Sequence, residues 1–133
     1  MKNRVSWAIF ALAASLTAFV TPSHAQDAAA GERVFIKCRV CHQVGEEAKS
    51  TIAPNLNGII GRVSGTFPDY KNFSAPMKEK AVTWNEETLT AYLHNPREFI
   101  PRNSMMFPGL KKDADIVNVI AYLKQFGPDG KKQ

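Results

Sequence analysis

Residues 37–44, KCRVCHQV, hold both cysteines of the 133-residue chain, with a histidine directly after the second. Cys38 and Cys41 are three positions apart, so one turn of backbone brings both sulfurs to the same side. His42 adds an imidazole to the two thiols. Such a trio serves a disulfide, a dithiol redox centre, a metal site or a covalently held cofactor, and the rest of the chain decides among them.

Upstream of this stretch, the first 25 residues differ in character from the rest of the chain. Lys2 and Arg4 form a short positive start, an uncharged run rich in Ala, Leu and Phe extends from Val5 to Val20, and Ser23 and Ala25 are small residues preceding Gln26. This layout is that of a secretory signal peptide cut after Ala25. The apolar run is short against the roughly 20 residues of a membrane-spanning helix. The expected organisation is therefore a signal peptide over residues 1–25 and one domain over residues 26–133, in the periplasm, with no stable membrane insertion. The leader carries two of the 17 basic residues and none of the 12 acidic ones, which leaves the remainder at +3. That balance is too weak for a nucleic-acid-coating protein. It suits a local positive face for an acidic partner.

Downstream, helix signals outnumber strand signals. A first helix is expected from Asp27 to about Cys38. Residues 52–71 are rich in Pro, Gly and Asn and read as ordered loop. Thr83-Trp84-Asn85-Glu86 has the form of a capping box opening a helix that runs to about Asn95, where Pro96 stops it. Asp113 is placed to cap a last helix, in which Ile116, Val119, Ile120 and Leu123 recur at i, i+3, i+4 and i+7 as one apolar stripe. Gly127 and Pro128 end it. Three main helices, with short ones and long loops, leave a small helical core whose centre something else must fill.

That gap bears on Cys38, Cys41 and His42. A thioredoxin-type dithiol sits in a βαβ context, and no strands are evident. A structural zinc needs four ligands, and only His24 and His94 remain as further histidines. A disulfide across two intervening residues would staple almost nothing. A c-type haem uses all three side chains, each thiol adding across one vinyl group and His42 approaching the iron. This reading uses both cysteines, follows a secretory leader and supplies the missing core. The second axial ligand then decides the chemistry, because an open iron binds gases or peroxide and a closed one favours electron transfer. The candidates are Met77, Met105, Met106 and His94. Pro101 and Pro108 stiffen the loop that carries Met105 and Met106, but Met105-Met106-Phe107 also reads as ordinary core packing. Spacing does not separate the two methionines, and His94 reads as a solvated surface residue.

With these motifs in order, the chain resembles the class I (mitochondrial-type) soluble cytochromes c in their bacterial periplasmic form. The resemblance rests on Gly31 with Phe35, CRVCH, APNLNGIIGR, VTWNEETLTAYLHNP, FIPRNSMMFPGLKK and VIAYLK, and covers roughly Gly31 to Gln125. It implies a small all-α, single-domain cytochrome c fold wrapped around one covalent haem c. It assigns the thioethers to Cys38 and Cys41, iron ligation to His42 and Met105, and the acceptor for the other imidazole nitrogen to the Pro54 carbonyl. Arg62 and Trp84 match positions near a haem propionate, Tyr92 one near the methionine sulfur, and Phe107 one at the haem edge. Two positions depart from the pattern. Phe73 stands where a tyrosine often reaches a propionate, with Tyr70 nearby as a substitute, and Ser104 replaces a lysine before the ligand methionine.

The function implied is a periplasmic single-electron carrier, monomeric and not an enzyme, with no catalytic residues beside the haem site. Its partners would be a cytochrome bc-type complex, a terminal oxidase, a photosynthetic reaction centre or a periplasmic dehydrogenase. They would dock on a basic ring of Lys37, Arg39, Arg97, Arg102, Lys111 and Lys112. The alternative is a haem enzyme or gas-binding protein with a labile sixth ligand.

Overall fold

The computed structural model describes residues 26–133, so the leader expected over residues 1–25 lies outside the described residues. Five helices run in order among the described residues: α1 Ala28–Phe35, α2 Ala75–Lys80, α3 Glu86–His94, α4 Pro96–Phe99 and α5 Asp113–Lys124. Among the described residues there are no named strands; Val63 pairs with Thr83 and Phe126 with Lys132 in isolated antiparallel bridges. The expected helical architecture is the observed one.

The helix starts correct the sequence expectations by a few residues. Asp27 caps α1 by accepting from the Ala30 amide. The helix ends at Phe35, and the chain continues in turns rather than as helix to Cys38. The capping box of α3 is Asn85 with Thr88, not Thr83 with Glu86. Thr83 is engaged in the bridge to Val63, and its carbonyl accepts from the Thr88 hydroxyl. Pro96 stops α3 but also opens α4, since a missing N–H at the first helical position removes no intrahelical bond. Asp113 is the first residue of α5 rather than its cap; the cap position is Lys112, which makes no side-chain bond. Asp113 and Asp115 instead place negative charge at the positive end of the helix dipole.

The core lies where α1 crosses α5. Val34 and Phe35 meet the stripe of Ile116, Val119, Ile120 and Leu123, all buried. Each such side chain, fully buried, contributes about 1.5–3 kcal/mol. The approach is close because residue 31 is glycine: a Cβ there would lie 1.9 Å from the Asn118 carbonyl oxygen. Phe35, Tyr122 and Phe126 continue the contact as an aromatic series, with ring centroids 5.3 and 5.2 Å apart. Helix α3 packs on α5 and α4 and contributes Leu89 and Tyr92 to the same cluster. This scaffold holds two long irregular segments, residues 36–74 and 100–112, which carry most of the site residues.

Candidate haem site

The turn after α1 sets the first three groups. Cys38 and Arg39 donate their amides to the Phe35 carbonyl, and Cys41 and His42 donate theirs to the Cys38 carbonyl at 3.0 and 2.9 Å. Both cysteines are free thiols, partly exposed, and Cys38 packs against the core. Burial pushes the Cys38 thiol up to about 11, and Lys37 opposes this only in part. A redox-active dithiol needs the opposite shift. Among the described residues no three His, Cys, Asp or Glu side chains cluster as a metal site.

His42 is oriented by residues 54–57. Its Nδ1 lies 2.7 Å from the Pro54 carbonyl oxygen, which only accepts, so Nδ1 carries the proton and Nε2 keeps its lone pair. Burial lowers the imidazole's affinity for a second proton; the Pro54 bond works against this and the Arg62 charge reinforces it. A neutral ring with a free Nε2 is the form that binds a metal.

Arg62 fixes the same segment from the other side. Its guanidinium donates to the Asn55 carbonyl at 2.9 Å and to the Asn57 carbonyl. Burial lowers its pKa to about 10, with Asp69 pulling it back up. Asn57 in turn closes the loop through Gly45, accepting from its amide at 2.9 Å and donating to its carbonyl at 2.8 Å. Trp84 is brought alongside by backbone pairing: its amide donates to Arg62 and its carbonyl accepts from Gly61. Trp84 is buried against Tyr92, with centroids 5.0 Å apart.

The two methionines separate clearly. Met105 packs against the core, and its Sδ accepts from the Tyr92 hydroxyl at 3.6 Å. Met106 is 88% exposed. Burial raises the Tyr92 phenol well above its ordinary value, so it stays a donor. Asn103, which the sequence did not single out, shapes this loop. It donates to the Pro96 and Ile100 carbonyls at 2.8 and 2.7 Å and accepts from the Met105 amide at 2.9 Å. Its only sequence signal is an asparagine in a proline-bounded loop, the usual setting for a side chain that replaces backbone partners. Phe107 is partly buried against the core, and Leu110 returns the loop to α3 by donating to the Leu93 carbonyl.

Two further residues alter the expected surroundings. Tyr70, read as a substitute propionate ligand, donates its hydroxyl to the Ile52 carbonyl at 2.8 Å and packs edge-on against Phe73. It is thus engaged in closing residues 52–70. Ser74, also absent from the sequence reading, has a buried hydroxyl without a hydrogen-bond partner among the described residues. An orphaned hydroxyl costs about 1–3 kcal/mol unless an acceptor reaches it. Two thiols, an oriented imidazole, an inward thioether, a half-buried cation and an orphaned donor together fit a porphyrin with anionic propionates.

The family profile of Cytochrome c matches residues 28–127. The chain belongs to the cytochrome c family. It is 48% identical over 131 residues to cytochrome c-554 of Methylosinus trichosporium, covering 96% of this chain and 98% of that protein. It is 45% identical over 108 residues to cytochrome c2 of Rhodoplanes tepidamans, covering 81% of this chain and all of that protein. Its fold superposes on cytochrome cH from Methylobacterium extorquens with a TM-score of 0.70 at 36% identity, over 74% of this chain and 98% of that one. As a member of this family the chain carries haem c, covalently attached, and works in single-electron transfer.

The basic residues expected at a docking face are all exposed. Lys37 lines one shallow depression of about 370 Å³ with Phe107, Lys111 and Lys112. Arg39 leans the other way, over the Phe35 ring at 5.9 Å, and lines a separate depression with Glu47 and Tyr122. Arg97 lies in α4 and Arg102 immediately precedes Asn103, and neither borders either depression.

Proposed function

We propose that this cytochrome is a periplasmic electron carrier with a closed iron. Cys38 and Cys41 would form the thioethers, and His42 and Met105 would ligate the iron. When bound, the haem supplies a single electron-accepting iron, and the protein's part is to hold two ligands on it in both oxidation states. His42 is held by Pro54. Met105 is held by Asn103 and Tyr92. The Arg62 guanidinium and the orphaned Ser74 hydroxyl would meet the propionates, with Trp84 near Arg62, and Phe107 would border the haem. The observation that carries the reading is the pairing of the Met105 sulfur with Tyr92 while Met106 faces water. A thioether ligand favours the reduced iron. A filled sixth position also argues for a carrier over a gas-binding protein or an enzyme.

Replacing Met105 with Ala tests this. The sulfur-to-iron charge-transfer band of the oxidised protein should disappear, and carbon monoxide should bind the reduced protein readily. Met106→Ala should leave the band in place and the reduced iron closed. The opposite pattern would refute the assignment.

Cleavage after Ala25 is part of the same proposal. It rests on the charged start, short apolar run and small residues of residues 1–25. No helix among the described residues is long and apolar enough to cross a membrane. Docking of a bc-type complex, oxidase, reaction centre or dehydrogenase would centre on Lys37, Lys111 and Lys112 beside Phe107. Arg39, Arg97 and Arg102 are part of the same docking proposal, although none of them lines that depression. Long-range attraction by such a face speeds encounter without tight binding. Reversing Lys111 and Lys112 to Glu should slow the second-order reaction with an acidic-faced partner and flatten its salt dependence. A rate indifferent to both changes would favour an apolar contact instead.

A further inference from the structure

Phe67 has no place in the core cluster. It is half-buried on the outer side of the loop between Val63 and Ser74, with exposed Thr66 and Pro68 on either side. Its ring covers Arg62: the guanidinium carbon lies 3.7 Å from the Phe67 ring centroid. That is van der Waals contact with the cation over the ring face, the geometry in which the aromatic quadrupole attracts a positive charge.

The guanidinium under that ring is already committed. It holds the Asn55 and Asn57 carbonyls, one and three residues beyond the Pro54 carbonyl that orients His42. The nearest acid acting on Arg62 is Asp69, itself exposed to water. One face of the cation is therefore dry because of Phe67. Without that ring, water would solvate the guanidinium, compete for its two carbonyl bonds and weaken its field.

We propose that Phe67 is a positioning residue for electron transfer: by capping Arg62 it holds the Pro54–Asn57 segment behind His42 and keeps water from screening the cation that offsets the propionate charge, which raises the reduction potential. This rests on the axial-ligand reading above. The physical reason is that reduction removes one positive charge from the iron, so a nearby cation favours the reduced state. The less water screens that cation, the larger the effect.

The test is the reduction potential of the intact haem protein, measured by spectroelectrochemistry at low and high ionic strength. Phe67→Ala should lower the midpoint potential, because water then screens the Arg62 charge that favours the reduced state. It should also make the potential more sensitive to salt, because exposed charges are screened and buried ones are not. Phe67→Trp, which keeps a ring face, should behave like the parent. In an Arg62→Gln background, Phe67→Ala should add no further shift. The proposal is overturned if Phe67→Ala leaves the potential and its salt dependence unchanged while lowering only stability. It is equally overturned if the shift is the same without Arg62. Retention of the sulfur-to-iron band in each variant separates this outcome from loss of Met105. A parent lacking that band would overturn the ligand assignment and this proposal with it.

Discussion

Where α1 crosses α5, the contact is dry and repetitive: Val34 and Phe35 against Ile116, Val119, Ile120 and Leu123, at the spacing of helix turns. Where Met105 is held, the contact is polar and singular. Asn103 makes three bonds to backbone, Tyr92 makes one to sulfur, and Leu110 returns the chain to α3. The crossing draws its energy from area, spread over many side chains. The loop draws its geometry from a few groups that each satisfy a backbone atom. The first region can lose a methyl group gradually, whereas the second can lose one asparagine and with it the position of the ligand. A protein that must keep its iron environment unchanged through oxidation and reduction uses the first region for stability and the second for precision.

The sharpest way to break the contrast is at its thinnest point. Gly31→Ala places a methyl group 1.9 Å from the Asn118 carbonyl, and the obstacle is backbone, which cannot swing aside. The crossing must open, so denaturant unfolding of the haem protein should show a loss of about 3 kcal/mol or more. An effect below about 1 kcal/mol would mean that the helices are not packed this closely.

Asn103→Ala should act on the other region. It leaves the Met105 amide without its partner and removes one of the two bonds at each of the Pro96 and Ile100 carbonyls, for a loss of about 2 kcal/mol. The change should fall mainly on the loop, so amide exchange should speed up at residues 103–110 while α1 and α5 keep their protection. Uniform loss of protection across the helices would show that loop and crossing unfold as one unit.

The smallest expected effect belongs to Tyr92. Its phenol is raised in the folded protein by burial, so the unfolded chain ionises first. Its contribution to stability is present in full below the ordinary tyrosine value near pH 10 and is lost as pH rises beyond it. Tyr92→Phe should remove that share of the alkaline loss and cost less than about 1 kcal/mol at neutral pH, since only a weak bond to sulfur is given up. Denaturation midpoints at neutral and alkaline pH would check this. An unchanged alkaline slope would assign the loss to other groups.

The same contrast explains which parts of the molecule were legible beforehand. The apolar stripe of α5 follows from a local period and is buried as expected, whereas Gly31 and Phe35 at the crossing are marked only by the family resemblance. Helix boundaries were less secure because tertiary pairing competes with capping: Thr83 had the residue type for a cap but is engaged with Val63 and Thr88. Tyr70 had the residue type for a propionate contact but closes a loop through Ile52. Asn103, Ser74 and Phe67 carried no pattern, because each acts through a partner that the sequence does not identify.

From its sequence alone, then, the chain declares its chemistry. Cys38, Cys41 and His42 are adjacent, and their spacing is set by one turn of backbone, so no distant contact is needed to read them. The helical architecture is declared in the same way, because a period of 3.6 residues is a local property. Spacing alone does not separate Met105 from Met106, the family resemblance favours Met105, and the tertiary structure shows how differently the two neighbours are placed. One side chain points inward to the Tyr92 hydroxyl and the other into water. That choice depends on the direction of a loop without a period, held by bonds from Asn103 and from a helix 13 residues upstream.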